Sequence, residues 1–244
     1  MSSTTTPATA ASKVNVPARP VRARLWPIWG AVAGILGFTA TVLFDTRPHS
    51  ESDAADRGES IVIDPSYMDE LTRMPNYLGF LIGFAAVAAL LVFQGAWKRW
   101  VEVRFPESIA ARVVSGGLIV TAAGLTLGYG WKGALANYGY DGPEAGLFED
   151  DGLFVYFMMT DFGPYIPWLG VLIAAGAFAW MAWAERLISR ALGTFSGLYF
   201  LLVVGAYALT GVPGLAGPAS GLWLAIACLW LAVGKSRITL KGIA

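Results

Sequence analysis

ALGTFSGLYFLLVVGAYALTGVPGLAGPASGLWLAIACLWLAVG, residues 191–234, runs for 44 residues without one Asp, Glu, Lys, Arg or His. At about 1.5 Å per residue a single helix of that length would reach about 66 Å, twice the hydrocarbon thickness of a bilayer. The run therefore folds back. Pro213 and Pro218, set among Gly211, Gly214, Gly217 and Gly221, disfavour helix continuation and mark the turn. This predicts a hairpin of two membrane-spanning helices, near 191–210 and 216–234.

Four more charge-free stretches of crossing length lie upstream, at 25–44, 74–97, 113–131 and 162–184. Backbone polar groups have no partner in hydrocarbon, so such segments are helical. A β-barrel would show short alternating segments, and none occur here. The fold class expected is all-α, a polytopic transmembrane bundle of six spans over residues 25–234. The composition agrees: 56% of residues are hydrophobic, 14% are charged, and the mean hydropathy is +0.57, far from the roughly 25% charged residues of soluble domains.

Charge places the ends. The connections expected on the cytoplasmic side (1–24, 98–112, 185–190 and 235–244) carry 13 of the 17 Lys and Arg, leaving only Arg47, Arg57, Arg73 and Lys132 opposite. Basic residues on short loops set orientation, so both termini are expected inside. Carboxylates do the reverse: only Glu102, Glu107 and Glu185 of 17 fall inside. Trp26, Trp29, Trp97, Trp100, Trp131, Trp168, Trp180, Trp183, Trp223 and Trp230 fall near the expected interfaces, as aromatic belts do.

Residues 1–24 are rich in Ser, Thr, Ala and Pro and read as a disordered cytoplasmic tail; residues 235–244 form a short second tail. The apolar run at 25–44 exceeds the h-region of a cleaved signal peptide, so it is read as a retained span.

The chain has one cysteine, Cys228, and one histidine, His49. An intrachain disulfide, a bis-histidine haem and a Cys/His metal cluster are excluded on that count. No GxxxxGK[ST] or GxGxxG pattern is present, and His49 alone in a loop provides neither a Ser-His pair nor a zinc-protease motif. No ionisable residue falls mid-span, which disfavours proton- or ion-coupled transport. No cofactor, metal or nucleic acid is expected. The expected partners are the lipid bilayer and a second protein or a second copy of this chain.

The long connections, 45–73 and 132–161, lie on the outer side. His49 to Ser60 reads as a solvated polar loop. Gly152 to Met159 forms an aromatic patch that either lies in the interface or extends the fourth span. Asp141, Glu144, Glu149, Asp150 and Asp151 read as a solvated acidic loop whose spacing matches no EF-hand.

The candidate site is a polar rim of Asp45, Arg73, Lys132, Asp161 and Tyr165, with Asn76, Tyr129 and Tyr138 as neighbours. Opposite charges bracket each outer loop, so rim bridges Asp45 to Arg73 and Lys132 to Asp161 are expected. GxxxG spacings at Gly30/Gly34, Gly79/Gly83, Gly124/Gly128 and Gly193/Gly197 read as packing contacts within the chain. Thr39, Thr41, Ser115, Thr121, Thr126, Ser196 and Tyr199 read as hydrogen-bonding glue between helices.

The segments Met74 to Phe80 (MPNYLGF), Leu127 to Gly133 (LGYGWKG) and Asp161 to Tyr165 (DFGPY) resemble those of uncharacterised six-span integral membrane proteins of bacteria. The resemblance covers most of 25–234 and implies a multi-pass protein of the bacterial cytoplasmic (inner) membrane. No activity is defined for such proteins. The function expected is that of a non-catalytic accessory or signalling-partner subunit. The alternative is a transporter or binding protein for a lipid or small apolar molecule with an outward-facing cleft. An enzyme using Asp45 on a lipid-linked substrate is a third reading.

Overall fold

The computed structural model describes residues 25–239. The tail at 1–24, with Lys13, Arg19, Arg22 and Arg24, and the last residues with Lys241 lie outside the described residues. Within them the protein is helical, with no strand. The main helices are α1 (Ile28–Phe38), α2 (His49–Asp56), α3 (Arg73–Trp97), α4 (Ile109–Tyr138), α5 (Asp150–Phe162), α6 (Leu169–Trp183), α7 (Arg190–Thr210) and α8 (Ala216–Val233).

Five helical stretches are long and apolar enough to cross a membrane: Arg73–Glu102, Ile109–Tyr138, Asp150–Trp183, Arg190–Thr210 and Ala216–Val233. The first expected span is shorter than its apolar run. It comprises 11 residues of α1 continued by a five-residue π-helical turn, Thr39–Leu43.

Local chemistry sets the helix ends. Ser108 caps α4 by accepting the Ala111 N–H at 3.0 Å, and Ser189 caps α7 by accepting that of Leu192 at 3.3 Å. The hairpin between α7 and α8 turns at Gly211, whose φ of 69° is the left-handed conformation that glycine adopts without strain; its N–H closes on the Tyr207 carbonyl.

Two expected boundaries move. The span near 113–131 becomes the 30-residue α4, which runs past Lys132 to Tyr138 because nothing from Gly133 to Tyr138 breaks a helix. The span near 162–184 is broken: α5 ends at Phe162, Gly163 and Pro164 interrupt, and a short 3-10 turn, Ile166–Trp168, feeds α6. The aromatic patch at 152–159 thus belongs to a helix of its own that packs on α4. His49 to Asp56, read from composition as a solvated loop, is helical, and the Glu70 carboxylate tethers it by accepting the Ser50 N–H (2.8 Å) and hydroxyl (2.5 Å).

α1, α3, α4 and α6 pack in succession, α8 closes on α1 and α6, and α7 lies against α6. Small residues permit the tightest contacts. A Cβ at Gly34 would lie 2.3 Å from the Gly221 carbonyl oxygen on α8, and one at Gly117 would lie 2.3 Å from that of Gly170 on α6. All eight glycines of the GxxxG pairs face neighbours within the chain, so apposed backbones meet as small-residue helix contacts do. Polar side chains add cross-links: Gln94 to Ser115 (2.8 Å), the Trp97 indole N–H to the Ala111 carbonyl (2.9 Å), and Tyr199 with Ser220 (2.6 Å).

The two ends of this bundle differ. At the short-loop end, tight connections join α3 to α4 and α6 to α7. At the long-loop end, α2, a 3-10 turn at Pro65–Glu70, the last turns of α4 and the start of α5 make a folded cap. This cap has a small core of its own, Met68, Leu71, Leu135, Leu153 and Phe157, ringed by Tyr67, Tyr138 and Tyr156.

Candidate functional site

The polar residues of the long-loop end form a column that begins inside the bundle. Tyr129, on α4, is fully buried; its hydroxyl pairs with Thr41 Oγ1 at 2.9 Å and donates to the Gly37 carbonyl at 3.3 Å. Thr41 also accepts the Trp168 indole N–H (3.3 Å) and reaches the Pro164 carbonyl (3.4 Å). One threonine thus ties α1 to α4 and to the break between α5 and α6.

Lys132 sits one turn along α4, only 1% exposed. The π turn at the end of α1 explains why it is tolerated there. The Phe44 N–H bonds to the Thr39 carbonyl and that of Asp45 to Val42, which leaves the Ala40 and Phe44 carbonyls open at a helix C-terminus. The Lys132 ammonium donates to both, at 3.1 and 2.5 Å. A cation on helix-end carbonyls meets both the orphan acceptors and the negative end of the helix dipole. The lysine stem passes Gly79 of α3, where a Cβ would come within 3.2 Å of its Cδ. Asn76, also buried, donates to the Thr72 carbonyl and leaves its Oδ1 without a partner.

Above this, Arg47 gathers the rim. Its Nε lies 3.1 Å from Asp45, one terminal nitrogen 2.6 Å from Asp161, and the other 3.7 Å from Glu51. Partial burial works against its charge, but Asp45 and Asp161 outweigh that and hold its pKa above the ordinary value. Tyr165 directs its hydroxyl to Asp45.

Of the five residues singled out from sequence, Asp45, Asp161 and Tyr165 therefore meet, Lys132 lies just beneath them, and Arg73 stands apart. Neither expected bridge forms. Asp45 and Asp161 both pair with Arg47, a residue that sequence reasoning passed over, and Lys132 spends its charge on carbonyls. Arg47 was visible only as a basic residue two positions after Asp45.

Arg73 opens α3. Its N–H donates to the Asp141 carboxylate at 2.9 Å, its Nε donates to the Ala136 carbonyl at 3.2 Å, and its guanidinium lies over Tyr77, 5.1 Å from the ring centroid. Below it a groove of about 300 Å³ runs between α3 and α4, lined by Tyr77, Phe80, Gly130, Gly133 and Asn137. A wider cleft of about 650 Å³ lies on the cap, among Tyr138, Tyr140, Phe148 and the acidic residues Glu149 to Asp151. Tyr140 donates to Asp150 there, and that carboxylate holds the phenol's pKa above its usual value.

Set against protein families, curated proteins and solved structures, the chain matches none.

Proposed function

We propose that this chain is a six-span protein of the bacterial cytoplasmic membrane, both termini inside, serving as a non-catalytic accessory or signalling-partner subunit that meets its partner through the outer cap. The observation that carries the reading is how the charges of the long-loop end are spent. Arg47 is bonded to carboxylates, Lys132 to carbonyls and Arg57 to Glu59 at 3.0 Å. Asp53, Asp56, Asp69, Glu144, Glu149 and Asp151 remain exposed around them. Reactive groups aimed into a cavity would support an enzyme; cations bonded within the chain beneath an acidic surface support a docking face for a basic partner. The six-span reading counts Ile28–Leu43 as the first span: its helix rises about 24 Å, with Trp26 and Trp29 at one edge.

Two measurements test this. Single cysteines in a Cys228→Ala background, placed at Ser50, Glu144, Glu107 and Lys235, should react with an impermeant maleimide in whole cells at the first two positions only. A photo-crosslinker at Asp56 or Asp151 in native membranes should give one defined adduct, lost when Asp53 and Asp56 become Lys. A monodisperse monomer with no adduct at any cap position would sink the accessory-subunit reading.

A further inference from the structure

We infer that the groove beneath Arg73 is a phospholipid site, with the phosphodiester on the Arg73 guanidinium, the headgroup amine at Asp141 and an acyl chain between α3 and α4. It rests on the membrane placement of the bundle and is independent of the accessory role.

Arg73 is held by two contacts that leave its ligand-facing edge open. Nε is anchored on the Ala136 carbonyl and one face is stacked on Tyr77, while the two terminal nitrogens have no partner among the described residues. A planar fork fixed in this way matches two phosphate oxygens. The position fits a headgroup: Arg73 is the first residue of α3, at the level where an apolar helix leaves hydrocarbon.

Beneath the guanidinium the groove is open because its wall lacks side chains. A Cβ built on Gly130 meets nothing within 4 Å, whereas one on Gly133 would strike the Phe80 ring at 2.9 Å. Gly130 is therefore kept clear by choice of residue and not by packing. Tyr77, Leu81 and Phe84 on α3 and Leu127 on α4 expose apolar surface along the same face, as an acyl chain requires.

Asp141 selects the headgroup. Its carboxylate accepts the Arg73 backbone N–H but forms no ion pair with the Arg73 side chain. The Arg73 guanidinium, and a carboxylate bonded to the same residue's backbone but not to its side chain, offer the two charges complementary to the phosphate and ammonium of a zwitterionic headgroup. An anionic headgroup without an amine would meet Asp141 as a like charge. The occupant is thus phosphatidylethanolamine in preference to phosphatidylglycerol.

Native mass spectrometry of the full chain released from nanodiscs with equal phosphatidylethanolamine and phosphatidylglycerol tests this. The wild type should retain one phosphatidylethanolamine. Gly130→Leu, which fills the groove from a position where a Cβ has open space, and Arg73→Gln should each reduce that retention about tenfold or more, the factor expected for a lost charge-assisted contact. Asp141→Asn should shift retention toward phosphatidylglycerol. Equal retention by the wild type and Gly130→Leu, or lipid retained without headgroup preference, would overturn the proposal. Failure of the chain to enter nanodiscs would instead overturn the membrane placement on which it rests.

Discussion

The rim around Arg47 and the short-loop end of the bundle use arginine differently. At the long-loop end Arg47 and Arg57 bond to carboxylates. At the short-loop end Arg99 lies over Trp100 and Arg190 over Trp183, 5.4 and 5.3 Å from the ring centroids. An ion pair consumes a charge and fixes geometry, whereas a ring leaves the guanidinium's edge free for phosphate. At the rim the guanidinium fixes internal geometry beneath an acidic surface; at the short-loop end its charge stays at the surface.

The sharpest way to break this contrast is Lys132→Met. The methionine fills the volume but leaves the Ala40 and Phe44 carbonyls without donors, so unfolding in mixed micelles should show a loss of about 2 kcal/mol; an unchanged midpoint would mean that water takes over both carbonyls. Arg47→Gln should cost less, about 1 kcal/mol, since its three partners are each a quarter to a third exposed. The same variant should raise hydrogen exchange around Asp161. Arg190→Gln at the opposite end should stay within about 0.5 kcal/mol of the wild type. Its effect should fall on retention of anionic lipid, measured by native mass spectrometry from mixed-lipid nanodiscs.

The smallest effect concerns the cap and pH. Ser50, through its hydroxyl and its N–H, holds the Glu70 carboxyl below its usual pKa. A carboxyl depressed by folding stabilises the fold above its unfolded pKa of about 4.3, and that contribution is lost as pH falls through the lower folded value. Exchange over His49–Asp56 should therefore rise as pH drops below about 4, after correction for intrinsic rates. Glu70→Gln should remove the dependence.

Much of the bundle could be read from apolar runs. The 44-residue stretch became two helices with a turn at Gly211, and 74–97 became α3 almost to the residue. What escaped was whatever depends on a partner distant in sequence. A span reading halts at the first charge, so it stopped at Lys132; the carbonyls that accommodate that charge are freed by a π turn some 90 positions upstream, with no periodic signature. The loop from His49 looked unstructured because its composition is polar, yet a carboxylate 20 positions on tethers it. Pairing by proximity in topology joined Asp45 to Arg73 and Lys132 to Asp161, whereas a nearer arginine claimed both acids. Only part of the rim was legible for the same reason: residue types name the chemistry, and packing chooses the partners.

α1 with its π turn rises about 24 Å and α8, its neighbour, about 27 Å; α3 and α4, adjacent on the other flank, rise about 38 and 45 Å. The extra rise of α4 carries Leu135 and Tyr138 into the cap. The two flanks of the bundle therefore differ in height, and the cap is built on the taller one.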